Sequence, residues 1–175
     1  MIKKSFVLLG VIIMLNGCID YKSYLKTDIN MNFSVNLPVD ISTPGMKTGL
    51  FPFDVTKTFS PVGEPSLAEY LENIKAITLT GISATVTELE QSIVLTDALL
   101  SISDGADSVS WNFEEISITE GSILDLTNNN DEFATLSTML SALGDVDVRF
   151  TGFSDTNDVQ YTLKVDLETK ITAGL

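Results

Sequence analysis

Between Ile29 and Ile41 the chain reads INMNFSVNLPVDI, thirteen residues that alternate apolar and polar without a break. Ile29, Met31, Phe33, Val35, Leu37, Val39 and Ile41 fall on one face, and Asn30, Asn32, Ser34, Asn36, Pro38 and Asp40 on the other. Successive side chains of a strand point to opposite sides of a sheet, so this strict period of two means a strand with one buried face. Pro38 has no N–H to give to a ladder, which puts the strand at a sheet edge or bends it there. A buried face of that length needs a second apolar layer packed against it.

The rest of the chain supplies that layer. Thr43-Pro44-Gly45 turns the chain, and Phe51, Phe53, Val55 and Phe59 share the phase of a second strand. Ser66-Leu67-Ala68-Glu69 has the spacing of a capping box, predicting a short helix with Leu67, Tyr70, Leu71 and Ile74 on one stripe. In AITLTGISATVTEL the apolar phase is odd at Ile77 and Leu79 but even at Ile82, Ala84 and Val86, which predicts a bulge at Gly81. A strand follows around Val94 to Ile102, and after the turn DGADS the residues Val109, Trp111 and Phe113 share one face, with Trp111 expected in the core. NNNDEFATLSTMLSALG predicts a second helix, capped at Asn130 or Asp131, with Phe133, Leu136, Leu140 and Leu143 inward and Gly144 as its stop. SDTND is expected to be the hairpin turn between VDVRFTGF and the final alternating strand from Val159 to Ile171. The pattern predicts a mainly β fold: an antiparallel β-sandwich of seven or eight strands with two short helices.

The succession of IKAITLTGISATV, a strand ending in LLSIS, a helix before DVRFTGF and a final YTLKVDLETKI resembles a group of uncharacterised bacterial secreted lipoproteins with an immunoglobulin-like or desiccation-protein-like β-sandwich. The resemblance implies a sandwich fold and a cell-envelope setting, and it brings no active site.

The N-terminus agrees with that setting. Lys3 and Lys4 precede an apolar run of ten residues, Phe6 to Leu15, and Leu15-Asn16-Gly17-Cys18 follows. Ten apolar residues are too few to span a bilayer, which takes roughly 20, and the layout is that of an export signal. LNGC also resembles the bacterial lipobox, whose cysteine is lipidated and becomes the first mature residue; Asn16 stands where a small residue is usual. The expected organisation is a signal peptide over residues 1–17, a lipidated tether over 18–28 and one β-sandwich domain over 29–175. Cys18 is the lipidation site. Two or more acyl chains give stable anchoring, and Ile19 rather than Asp after the cysteine fits passage to the outer membrane of a two-membrane bacterium.

Cys18 is the only cysteine, so the domain beyond it has no disulfide, no thiolate nucleophile and no cysteine metal site. Beyond the leader stand 8 Lys and Arg against 24 Asp and Glu, a net charge of −16. Such a surface excludes binding that depends on phosphate neutralisation, hence nucleic acid, and excludes attachment through a polybasic patch. The absence of histidine removes most general-base and triad arrangements. Ser23-Tyr24-Leu25-Lys26 and Lys47-Thr48-Gly49 match two elements of the penicillin-recognising serine enzymes, but without the third and in too short a chain. Glu88 and Glu90 would share a strand face if the strand ran that far, although no aromatic subsite flanks them.

Calcium is the one metal the loops suit, since it takes six to eight oxygen ligands. Asp104 and Asp107, then Asn128, Asn130 and Asp131, then Asp155, Asn157 and Asp158 offer them, although all are also ordinary turn and cap formers. No cofactor is expected beyond the lipid. Two functions fit: a non-enzymatic envelope lipoprotein that binds another envelope protein as an adaptor, or a carrier of a hydrophobic ligand held between the long amphipathic strands.

Overall fold

In the computed structural model, which describes residues 26–45 and 48–174, the alternating segment is strand β1, Lys26–Ile41. It starts within the expected tether because the chain end opposite holds it there. Lys26 pairs with Gly174, and the Asp28 carboxylate accepts from Thr172 Oγ1 at 2.8 Å and meets Lys170 Nζ at 2.7 Å. The remaining strands are β2 (Phe51–Phe59), β3 (Ile74–Thr87), β4 (Ile93–Ser103), β5 (Ser108–Ile118), β6 (Ile123–Leu124), β7 (Val146–Ser154) and β8 (Val159–Gly174), with one α-helix, α1 (Glu132–Ser141), among the described residues.

β1 pairs with β8, β2 with β7, β3 with β6 and β4 with β5, all antiparallel. The chain is thus one long hairpin. Rolling that hairpin brings β8 against β3 and β7 against β4, giving two sheets in the orders β1-β8-β3-β6 and β2-β7-β4-β5. That is an antiparallel sandwich of the eight-stranded jelly-roll type. Only β4 and β5 are consecutive neighbours in one sheet; every other connection crosses between sheets. SDTND is therefore not a hairpin turn. Asp155 N bonds Val94 O at 3.0 Å in the second sheet and Asp158 N bonds Ile41 O at 2.7 Å in the first, so the turn bridges the layers.

The inward faces meet as their alternation requires. Phe33, Leu37, Ile41 and Leu163 of the first sheet face Leu95, Leu100, Ile102 and Phe150 of the second, all at most 1% exposed. Aromatic rings pair within this interior: Phe33 lies 5.2 Å from Phe59 and Phe53 lies 5.1 Å from Phe150, centroid to centroid. Burying side chains of this size contributes about 1.5–3 kcal/mol each. β1 is an edge strand, where Pro38 is tolerated. The expected irregularity at Gly81 is present, with Thr80 as the extra residue between the pairs Leu79–Thr169 and Gly81–Glu168.

The two helices fare differently. Residues 60–73 form three separate 3-10 turns, Pro61–Gly63, Pro65–Leu67 and Leu71–Asn73. The capping box is not made because Pro65, pre-set for a first helical position, starts the turn from Glu64, before Ser66. The Ser66 hydroxyl donates to Met31 Sδ instead, at 3.3 Å. α1 does form, but Asp131 makes no side-chain cap; Asn128 Oδ1 accepts from Phe133 N at 3.0 Å in its place. Its buried face is Leu136, Met139 and Leu140, with Phe133 and Leu143 half-buried. The helix stops on Leu143, which takes a left-handed φ of 57°, and not on Gly144. Packing of the Leu143 side chain on the core supports that conformation.

α1 also protects an edge. Ser141 Oγ accepts from Ile77 N at 2.8 Å and donates to Ile77 O at 3.1 Å, and Ser137 Oγ accepts from Leu79 N at 2.8 Å. These bonds satisfy the side of β3 that β6 is too short to reach, which keeps that edge from pairing with another chain. Both ends of the described chain lie at one pole of the sandwich. At the opposite pole lie residues 42–45 and 48–50 of the first connection and the connections 88–92, 119–122 and 155–158. The sixteen residues of β1 separate the poles, by about 50 Å at 3.3 Å per residue.

Candidate functional site

Cys18, the expected lipid anchor, lies outside the described residues, as do the leader and residues 18–25 of the tether. No helix among the described residues is long and apolar enough to cross a membrane.

The oxygen-rich loops do not converge. Asp104 and Asp107 sit in the β4–β5 turn at the pole of the chain ends, whereas Asp155 and Asp158 sit in the β7–β8 connection at the far pole. Each set is engaged locally. Asp104 Oδ1 accepts from Asp107 N at 2.8 Å and Ala106 N at 2.9 Å, and these two amides hold its carboxyl below the usual range. Asp155 Oδ1 accepts from Val94 N at 2.9 Å, and Asn157 Oδ1 from Thr43 N at 2.9 Å. The Glu132 carboxylate takes the Asn130 N–H at 2.8 Å. Among the described residues no three acidic side chains come together as a group able to hold a metal ion.

Two features of the far pole were not assembled by sequence reasoning. The first is an open cleft of about 750 Å³ on the outside of the first sheet, whose lining includes Asp40, Glu88, Glu90, Asp158, Gln160 and Thr162. β3 ends at Thr87, so Glu88 and Glu90 do not share a strand face. Glu88 has a φ of 65° and accepts from Thr162 Oγ1 at 2.7 Å, and Asp40 accepts from Gln160 Nε2 at 3.2 Å. These bonds engage two of the four carboxylates.

The second feature is on the outside of the second sheet. Register places Pro52, Phe153, Thr96 and Glu115 in one row across β2, β7, β4 and β5. Asp54, Thr151, Leu99 and Asn112 make the row beneath it. Leu50 and Val94 extend the upper row towards the pole. Leu50 is 47% exposed and Phe153 39%, while Val94 and Leu99 are half-buried. Further down the same face the rows are Thr56, Arg149, Ser101, Ser110 and Thr58, Asp147, Ser103, Ser108. One end of this face is thus apolar and the other hydroxyl-bearing.

A bulge in β4 places the apolar end. β4 carries an extra residue between the pairs Thr96–Phe153 and Leu99–Thr151, with Asp97 at a left-handed φ of 49°. Gly152 lies across from it at φ +157°, where an added Cβ would come within 2.9 Å of both Ala98 Cα and Phe53 Cζ. The sequence carries the signal: apolar phase is odd at Ile93 and Leu95 and even at Ala98, Leu100 and Ile102, the same switch as at Gly81. Asp97, Glu114, Glu115 and Asp155 surround the patch and are exposed. Arg149 donates through Nε to Asp54 Oδ1 at 2.9 Å, and that guanidinium holds the Asp54 carboxyl below its ordinary value.

Between the sheets, Trp111 is buried as expected, its Nε1 donating to Thr127 O at 2.8 Å. The long apolar faces of β1 and β8 are buried against the second sheet. Tyr161 is 3% exposed, and its hydroxyl has no hydrogen-bond partner among the described residues.

No family model matches the chain, and no curated protein matches it. Three of the solved structures similar to it are viral. The capsid protein of BFDV, in a decameric crystal structure, is 8% identical over 84% of this chain and 99% of its own, with a TM-score of 0.44. Desmodium yellow mottle tymovirus is 14% identical over 86% and 84%, with a TM-score of 0.35. The Macrobrachium rosenbergii nodavirus semi-empty particle is 11% identical over 86% and 96%, with a TM-score of 0.38.

Proposed function

We propose that this chain is a non-enzymatic lipoprotein of the bacterial cell envelope, anchored through lipidated Cys18, that acts as a protein-binding or adaptor module. The supporting observation is polarity of the fold. β1 begins at Lys26 beside the C-terminal end of β8, so a tether from Cys18 would enter at one pole. The four connections of the opposite pole then face away from the bilayer, about 50 Å further out at the rise of an extended strand. Loops carried by a rigid scaffold are common binding elements. The acidity suits this arrangement, because negative charge repels an anionic lipid surface and keeps the body off the membrane.

Metabolic labelling with palmitate, followed by membrane fractionation, tests the anchor. The native chain is expected to incorporate label and sediment with the outer membrane, and Cys18→Ser is expected to lose both properties. Label that persists in the variant, or recovery of the native chain in the inner membrane, would overturn the anchor or its destination respectively.

A further inference from the structure

The geometry points to the apolar end of the second sheet's outer face as the docking surface for a basic protein, which inserts an aliphatic or aromatic side chain beside Phe153. This inference rests on the protein-binding reading and names the surface and the kind of partner.

The apolar side chains are not scattered. Leu50, Pro52, Phe153, Val94 and Leu99 come from three adjoining strands and the segment leading into one of them, while the next two rows of the same face carry no large apolar residue. Contiguous exposed apolar groups with a polar rim mark interaction sites, whereas isolated ones do not. The backbone beneath it is closely packed. Gly152, next to Phe153, has no room for a Cβ, which would come within 2.9 Å of Ala98 Cα and of the buried Phe53 ring.

Charge selects the occupant. Asp97, Glu114, Glu115 and Asp155 lie around the patch, and Arg149, the one cation in the four strand rows of this face, is already held by Asp54. A rim of one sign steers and selects a partner of the opposite sign. A second copy of this chain brings the same carboxylates to the same places, and an anionic lipid surface brings further negative charge. A basic protein surface brings the complement.

The test is photo-crosslinking in intact cells, with the photoreactive side chain placed at position 153, at position 90 in the acidic cleft, or at position 32 on the outside of the first sheet. The expected result is an adduct from position 153 with a protein whose surface is basic. Reversing the rim with Glu115→Lys and Asp97→Lys is expected to reduce that adduct about tenfold or more, as loss of complementary charge does, without changing the chain's abundance. Both substitutions are at exposed positions, and the thermal transition of the purified variant shows whether it is folded. Adducts only from position 90 or 32 would overturn this surface and leave the protein-binding reading standing. An adduct from position 153 with another copy of the chain, or with an acidic protein, would overturn the choice of partner. No adduct from any position would overturn the binding reading together with the surface.

Discussion

The outer faces of the two sheets are built by the same alternation and differ in what they present. On the first, Asp28, Asn30, Asn32, Ser34, Asn36 and Asp40 of β1 lie beside Lys164, Asp166, Glu168 and Lys170 of β8. Both lysines there are paired within the face, Lys170 lying 2.7 Å from Asp28 and Lys164 2.9 Å from Asp166, and the acidic cleft occupies its far end. On the second sheet the polar pattern lasts for half the strand length and then gives way to Leu50, Pro52, Val94, Leu99 and Phe153. A face with internal charge partners is complete in water. An apolar end rimmed by acids is not, and the contrast separates a solvated surface from a candidate interface.

The sharpest break of that comparison comes from two phenylalanines of β7, Phe150 inward and Phe153 outward. Phe150→Ala is expected to lower unfolding free energy by about 3–5 kcal/mol, since a fully buried ring is lost from between the sheets. Phe153→Ser is expected to change it by at most about 0.5 kcal/mol, as for other surface sites. Urea denaturation of both variants measures the difference, and equal losses would mean that Phe153 belongs to the core.

The bulges at Gly81 and Asp97, taken one from each sheet, offer a second contrast. Gly152→Ala is expected to cost about 1–3 kcal/mol, because the new methyl would meet Ala98 backbone and the Phe53 ring. Gly81→Ala is expected to cost under about 1 kcal/mol, because its new methyl would meet the carboxylate of Glu168, the mobile end of an exposed side chain. Thermal melts of the pair decide it. A larger loss at Gly81 would mean that the first sheet holds the stricter bulge.

The smallest effect concerns the interior that both sheets share. Tyr161→Phe removes a buried hydroxyl that has no partner among the described residues and is expected to raise stability by about 1 kcal/mol. Burial pushes the Tyr161 phenol above its ordinary value. Its contribution is therefore complete below the unfolded-chain value near about pH 10 and declines as pH rises beyond it, when the unfolded chain ionises first. The phenylalanine variant is expected to show a shallower alkaline loss in denaturation between neutral pH and the alkaline range. An unchanged slope would mean that Tyr161 ionises alike in both states.

How much of this was legible in the sequence varied with the range of the interactions. The inward faces of β1 and β8, the bulge at Gly81 and the burial of Trp111 follow from local periodicity, which reports whether a side chain faces water. The bulge at Asp97 has the same phase switch and was equally readable. The capping box at Ser66 was overridden by its neighbour Pro65, and the stop expected at Gly144 moved to Leu143 because that side chain packs on the core. Asp104 and Asp155 read first as turn formers and only second as calcium ligands, and their amide partners give them turn roles.

By itself the sequence determined that there would be strands, which side of each would be buried, that two sheets would enclose an apolar interior, and that the chain would carry strong negative charge. Only the tertiary structure decided the order of the strands. SDTND looks the same whether it closes a hairpin or crosses between layers, and the difference lies in bonds to Val94 and Ile41, 61 and 117 positions from its ends. The apolar patch follows from that order. Leu50, Pro52, Val94, Leu99 and Phe153 become neighbours only once β2, β7 and β4 lie side by side, because a period of two assigns each residue a face but says nothing of which strand will stand next to it.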